Sequence, residues 1–144
     1  MTYLLDANVL IALMDLDHIH YDSAQSWFQH TGSQSWATCP ITQLAALRVM
    51  GGQNYPHQPD GPARIAQLLA EFCLHRGHQF WPDAVSLVES DHVNITKLAN
   101  AKHLTDTYLL ALAVQRGGQL ATFDRRIATA AVHDGPRHLH IIGG

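Results

Sequence analysis

The sequence predicts a three-layer α/β sandwich, with a central, mostly parallel sheet and helices on both faces. Short β-prone apolar runs alternate with longer segments of helical period, and parallel strands need crossover connections of that kind. The chain has 144 residues, the size served by one hydrophobic core, so residues 1–144 are read as a single domain. Hydrophobic residues make up 47% and charged residues 15%, enough to build that core and far from the composition of disordered chains.

The elements follow in order. Thr2-Tyr-Leu-Leu5 is a first strand ending at Asp6, and Asn8 to Met14 reads as a helix. Tyr21 to His30 places Tyr21, Ala24, Trp27 and Phe28 on one helical face and stops before Gly32. Ser35 to Cys39 is a second strand, and Pro40 suits the entrance of a helix over Ile41 to Met50, closed by Gly51-Gly52. Gln53 to Pro62, with Pro56, Pro59, Gly61 and Pro62, is a loop long enough to be mobile. Pro62 to Arg76 is a helix with Ile65, Leu68, Leu69 and Phe72 on one face. Gln79 to Trp81 and Val85 to Val88 are short β-type runs, and Asp91 to Ala101 reads as a further helix. Thr105 to Gln115 is an almost wholly apolar helix, Gln119 to Phe123 a strand ending at Asp124, and His138 to Ile142 the last strand.

Composition also excludes classes. The apolar runs Val9 to Met14 and Leu109 to Val114 fall well short of the roughly 20 residues that span a bilayer. No basic leader with an apolar stretch and cleavage site opens the chain, so a cytoplasmic protein is expected. Cys39 and Cys73 lack a CxxC pattern and read as buried free thiols rather than a disulfide or zinc site. The net charge is −3, but it is unevenly spread. From Lys97 onward six basic residues face three acidic ones, a local +3, leaving −6 on the first 96. That asymmetry permits a polyanion to meet one side of the molecule.

Three aspartates stand where apolar elements stop or start: Asp6, Asp106 and Asp124. Singly, each is explained by the preference of Asp for helix first turns and for turns. In a parallel sheet, however, Asp6 and Asp124 share the carboxyl edge of the strands, where ligands bind. Three like charges gathered there raise one another's pKa values, a cost a divalent cation removes. An oxygen-only set suits Mg²⁺ or Mn²⁺, which can activate water and neutralise a phosphodiester cleaved in line.

At these residues a resemblance becomes specific. Leu4-Leu-Asp-Ala-Asn-Val-Leu10, Ala37-Thr-Cys-Pro-Ile-Thr42 leading to Arg48, Leu104-Thr-Asp-Thr-Tyr-Leu-Leu-Ala-Leu-Ala113 and Leu120-Ala-Thr-Phe-Asp-Arg-Arg126 resemble successive motifs of the PIN-domain family, particularly VapC-type toxin ribonucleases. The resemblance implies a Mg²⁺- or Mn²⁺-dependent endoribonuclease acting on structured RNA, a homodimer, and inhibition by a small VapB-like antitoxin that plugs the acidic groove. Asp6, Asp106 and Asp124 match the family's acidic metal-site positions, and Asn8 and Thr122 its supporting polar positions. Arg48, Arg125, Asn8 and Thr122 are the candidates for contacting substrate.

The chain departs from the pattern at Gln43, where an acidic residue usually follows the second strand. The amide can accept a hydrogen bond from a water at the site but cannot act as a base and adds no charge to hold a cation. Gln43 is therefore a candidate for orienting water. It also supports an alternative, a catalytically weakened PIN module that binds RNA or a protein partner without efficient cleavage. Glu71, Asp83, Glu89 and Asp91 are weighed as substitutes for the missing charge, although no spacing aims them at the site. Arg48 reads equally as a structural, salt-bridged side chain, and Arg125-Arg126 as a solvated helix start. Asp17-His-Ile-His20 and His138-Leu-His140 read as non-ligand histidines, the latter pair on one exposed strand face. Trp27, Trp36 and Trp81 read as core and interface rather than base-stacking platforms. A haloacid-dehalogenase-like phosphatase fails locally, since Asn8 stands where a second Asp is needed, and a receiver domain lacks its middle-strand Asp. Walker and GxSxG motifs are absent.

Overall fold

A computed structural model describes residues 1–57 and 61–143. Its strands are β1 (Tyr3–Leu5), β2 (Trp36–Thr38), β3 (His78–Phe80), β4 (Gln119–Thr122) and β5 (Leu139–Ile141), and its helices α1 (Ala7–Met14), α2 (Tyr21–His30), α3 (Pro40–Met50), α4 (Pro62–Phe72) and α5 (Leu104–Gln115). The sheet order is β3-β2-β1-β4-β5, and all four pairings are parallel. The chain winds outward from β1 to β3 on one side and then from β4 to β5 on the other. The strand order therefore reverses between β1 and β4, the place where open α/β sheets bind ligands.

Side-chain alternation along the strands splits the core into two layers. Leu4, Ala37 and Leu120 pack with α5 on one face. Leu5, Trp36 and Ala121 pack with α1 and α2 on the other, and Ile11, Ala46, Met50 and Ile65 join α1, α3 and α4 into an outer cluster. This is the expected three-layer sandwich. The apolar character of α5 has a local cause: Thr107 to Ala113 are all buried, because Trp81, Val93, Ile127 and Val132 cover what the sheet does not. Such a helix is hydrophobic on every side because it is a core helix. Among the described residues no helix is long and apolar enough to cross a membrane.

The α3–α4 connection is tied back to α1 through a buried carboxylate. Asp15, at the end of α1, accepts hydrogen bonds from Tyr55 Oη and from the His57 ring at 2.7 Å. Burial alone would push this carboxyl up. The bonds from Tyr55, His57 and the Asp17 backbone hold it below its ordinary value instead. Residues 58–60 of the expected 53–62 loop lie outside the described residues.

Several expectations are corrected. Residues 91–101 do not form a helix: they form 3-10 turns at Ile95–Lys97 and Ala101–His103. Asn94 and Asn100 accept from the backbone N–H groups of Thr96 and Lys102 at 3.1 Å, so side-chain oxygens take the place of the carbonyl acceptors that a continuous α-helix would provide. Val85 to Val88 is not a strand, and the Gln79–Trp81 run becomes β3 one residue earlier. The helix from Pro62 ends at Phe72, followed by turns to Gly77 in a left-handed conformation. His138 belongs to a 3-10 turn, Gly135–His138, so it does not alternate with His140. Its ring bonds the Gly118 carbonyl at 2.6 Å, whereas His140 stacks on Trp27, and neither is on an exposed face. Trp36 and Trp81 are core, as expected, and Cys39 and Cys73 are free thiols.

Leu120 lies at the centre of the central strand pair and is fully buried. Leu120→Ala should lower unfolding free energy by about 2–5 kcal/mol, measurable as a reduced urea midpoint at unchanged slope.

Candidate active site

The switch point is built from two adjoining strand ends. Leu5 pairs with Ala121, and the Asp6 N–H bonds the Ala121 carbonyl at 3.0 Å, which brings Asp6 level with Thr122. The Thr122 hydroxyl then donates to Asp6 Oδ2 at 2.8 Å. Asp6 is also the N-cap of α1, its Oδ1 accepting from the Ala7 N–H at 2.8 Å. Both carboxylate oxygens are thus oriented by donors. Thr122 is 0% exposed, so it acts by holding Asp6 rather than by meeting substrate. Its oxygen accepts from the Asp124 N–H at 3.1 Å, and Asp124 Oδ1 accepts from the Arg126 N–H at 2.8 Å. One hydroxyl therefore links the turn after β4 to the first residue after β1.

Asp106 enters from the first turn of α5 and is half-buried. Among the described residues its carboxylate has no hydrogen-bond partner. Burial, then the charges of Asp6 and Asp124, push its carboxyl up to about 6. Asp6 is raised as well, chiefly by burial, with Asp124 adding to the shift against the Thr122 and Ala7 bonds. These mutual effects place the three aspartates in one electrostatic neighbourhood. Among the described residues no three His, Cys, Asp or Glu side chains converge closely enough to enclose an ion. The donor chemistry nevertheless fits a hard divalent cation that keeps several of its waters: oxygen ligands, excess negative charge, and a half-buried carboxylate without a donor. Softer metals would call for several His or Cys ligands, whereas the groups that act on one another here are carboxylates.

The remaining candidates are placed as follows. Gln43 lies in the first turn of α3, and its amide Nε2 donates to Thr38 Oγ1 at 3.0 Å at the end of β2, beside β1. The Thr38 hydroxyl also meets His78 Nε2 at 2.8 Å. The His78 part of this support has no sequence signature, because His78 is 40 residues from Thr38. Asn8 is exposed in the first turn of α1. Arg48 is exposed in the last turn of α3, about 7.5 Å along the axis from Gln43 at 1.5 Å per residue. It makes no salt bridge among the described residues, where the one recorded pair is His57 with Asp15. Arg125 donates to the Gly143 carbonyl at 2.8 Å, so its guanidinium is partly engaged by the chain end. None of the four substitute carboxylates joins the aspartates. Asp83 accepts from Tyr108 Oη at 2.7 Å, and Glu71, Glu89 and Asp91 are exposed elsewhere. His103, beside Asp106 and drawing its carboxyl slightly down, was not among the expected site residues.

A parallel sheet whose switch point carries three mutually repelling aspartates defines a class of acidic-site α/β domain, and the sequence places the chain within it: residues 3–132 match the PIN domain, and the chain belongs to the PIN-domain family. Its relatives narrow this further. It is 42% identical over 132 residues to Ribonuclease VapC44 of Mycobacterium tuberculosis (strain ATCC 25618 / H37Rv), covering 92% of each chain. Ribonuclease VapC39 of the same strain is 42% identical over 132 residues, 91% of this chain and 94% of that one. Ribonuclease VapC29 is 39% identical over 130 residues, covering 89% and 90%. The similarity is nearly end to end, so the VapC group within the PIN family is the one to which this chain belongs.

The raised Asp106 carboxyl has a stability consequence. Its folded value of about 6 exceeds the unfolded value near 4, so the native state holds the extra proton between them. Stability of the metal-free protein should therefore fall as pH rises from about 4 to about 6. Asp106→Asn should remove most of that slope and raise stability at pH 7 by roughly 1 kcal/mol, allowing for solvent screening, as read by thermal unfolding in EDTA.

Proposed function

We propose that this chain is a metal-dependent endoribonuclease, the toxin of a VapBC-like toxin–antitoxin module, cleaving RNA phosphodiester bonds with Mg²⁺ or Mn²⁺. The observation that carries this reading is the electrostatic coupling of Asp6, Asp106 and Asp124 at the β1/β4 switch point. Relatives named as ribonucleases along almost the whole chain support it. They also disfavour the weakened binding module, whose support was Gln43 alone.

The residues divide the work. Asp6, locked by Thr122 and the α1 N-terminus, and Asp106, with free lone pairs, would hold the first cation directly or through water. When bound, such an ion polarises water and neutralises charge on the phosphodiester. Asp124 is exposed and completes the pocket on its solvent side, where it positions water or a second, substrate-borne ion. Gln43, fixed through its Nε2, keeps Oε1 free to accept from a water at the pocket edge. Arg48, Arg125 and Asn8 are exposed and would contribute contacts to RNA phosphates or sugars. A small VapB-like antitoxin would inhibit by covering the acidic pocket, and a homodimer would present two such pockets. The cytoplasm is the compartment that holds both RNA and antitoxin.

Purified protein incubated with a total RNA pool should produce discrete new ends with Mg²⁺ or Mn²⁺ and none with EDTA. RNA binding without cuts under every metal condition would contradict the nuclease reading. Asp6→Asn should reduce cleavage at least 100-fold while the unfolding midpoint stays within a few degrees. Gln43→Glu should tighten metal binding measured by calorimetry and raise turnover, since it adds a charge to the pocket.

A further inference from the structure

Beside the first turn of α5 the structure encloses a cavity of about 170 Å³. Its walls are small and apolar, with Leu98 facing Ala128 and Ala131, and its polar lining includes Lys97, Asn100, His103 and Thr107. Thr107 is only 3% exposed, yet among the described residues its hydroxyl has no hydrogen-bond partner. The hydroxyl is not one of the fully enclosed, unpartnered polar atoms, so it is reached from the cavity, where a ligand can bond it. Asn100 is half used: its Oδ1 accepts from the Lys102 N–H, which leaves its NH₂ group able to donate.

Size and charge narrow the ligand. A cavity of about 150 Å³ admits benzene, so this one matches the size of a single six-membered ring. Lys97 to His103 contains two lysines and no carboxylate, a rim suited to phosphate. The cavity adjoins the aspartates, because Thr107 follows Asp106 in α5 and His103 acts on the Asp106 carboxyl.

We propose that this pocket takes one pyrimidine base of the RNA, next to the phosphodiester being cut, with Lys97 and Lys102 on the flanking phosphates. The proposal rests on the nuclease reading above and adds a specificity site to it. The ring fills the alanine-lined space, the Asn100 amide donates to the pyrimidine O2, and the Thr107 hydroxyl meets the remaining base edge as donor or acceptor. O2 is common to uracil and cytosine, so the contact does not distinguish them, and the one-ring size of the cavity is what favours a pyrimidine. An apolar side chain of a protein partner would fill the same walls but leave Thr107 unsatisfied and gain nothing from the lysines.

The test is a nuclear magnetic resonance titration of the full chain in EDTA with uridine, cytidine or adenosine 5′-monophosphate. Both pyrimidine nucleotides should shift the backbone signals of Thr107 and of Ala128 to Ala131, with adenosine monophosphate at least fivefold weaker. Ala130→Leu, at an exposed wall position, should abolish these shifts, and Thr107→Val should weaken binding about five- to tenfold. With Mg²⁺ and RNA, Ala130→Leu should lower cleavage beside pyrimidines at least fivefold relative to cleavage beside purines. Equal binding of adenosine monophosphate, or shifts that survive Ala130→Leu, would overturn the proposal. So would unmoved signals with nucleotides where the antitoxin alone perturbs the pocket. Absence of metal-dependent cleavage by the wild type strikes the nuclease reading, and base binding in EDTA is scored separately from it.

Discussion

The structure depends on bringing three aspartates from distant parts of the chain to one edge of the sheet despite their repulsion. Folding bears that cost through geometry. The Asp6 carboxylate receives two hydrogen bonds, one from the N-terminus of α1 and one from Thr122, and each is strengthened in a site that excludes much of the water. Among the described residues Asp106 receives none, and burial together with the charges of Asp6 and Asp124 disfavours its ionised form. The result is a pocket with unbalanced negative charge, and that imbalance is what a divalent cation relieves. Affinity for metal and instability of the empty site are the same quantity seen from two sides.

The sheet topology makes this possible. Between β1 and β4 two neighbouring strands send their following segments to opposite faces, the arrangement at which open α/β sheets bind ligands. Asp6 starts the helix on one face, and α5, lying on the other, carries Asp106 to the same edge. The burial of α5 on all sides fixes its first turn, so core packing and site geometry are one construction. The cavity beside that turn exists because the 91–101 segment does not continue as a helix. Its asparagine-capped turns leave a space lined by alanines, where a straight helix would have presented a closed surface.

Much of this was legible in the sequence. The alternation of β-prone and helical segments marks the parallel three-layer architecture, and aspartates at strand ends mark the candidate site. The family motifs fixed their order. What the sequence concealed were features set by distance rather than by pattern. Thr122 reads as a strand residue with a polar side chain, and its role as the post holding Asp6 appears only when residues 116 apart in the chain meet. The Gln43–Thr38–His78 contacts are of the same kind. The 91–101 segment misled because its apolar spacing is helical, whereas Asn94 and Asn100 satisfy the backbone locally. His138 and His140 misled because a 3-10 turn interrupts the period-two alternation on which their shared face depended.

The central claim is that these carboxylates share a pocket whose repulsion a doubly charged ion quenches. It is tested most directly by carbon-13 titration of the aspartate side-chain carboxyls, with and without saturating Mg²⁺. The account predicts that Asp106 titrates near 6 in EDTA and moves below the ordinary carboxylate range when Mg²⁺ is added, with Asp6 falling alongside it. An Asp106 that titrates near 4 and does not respond to Mg²⁺ would contradict it.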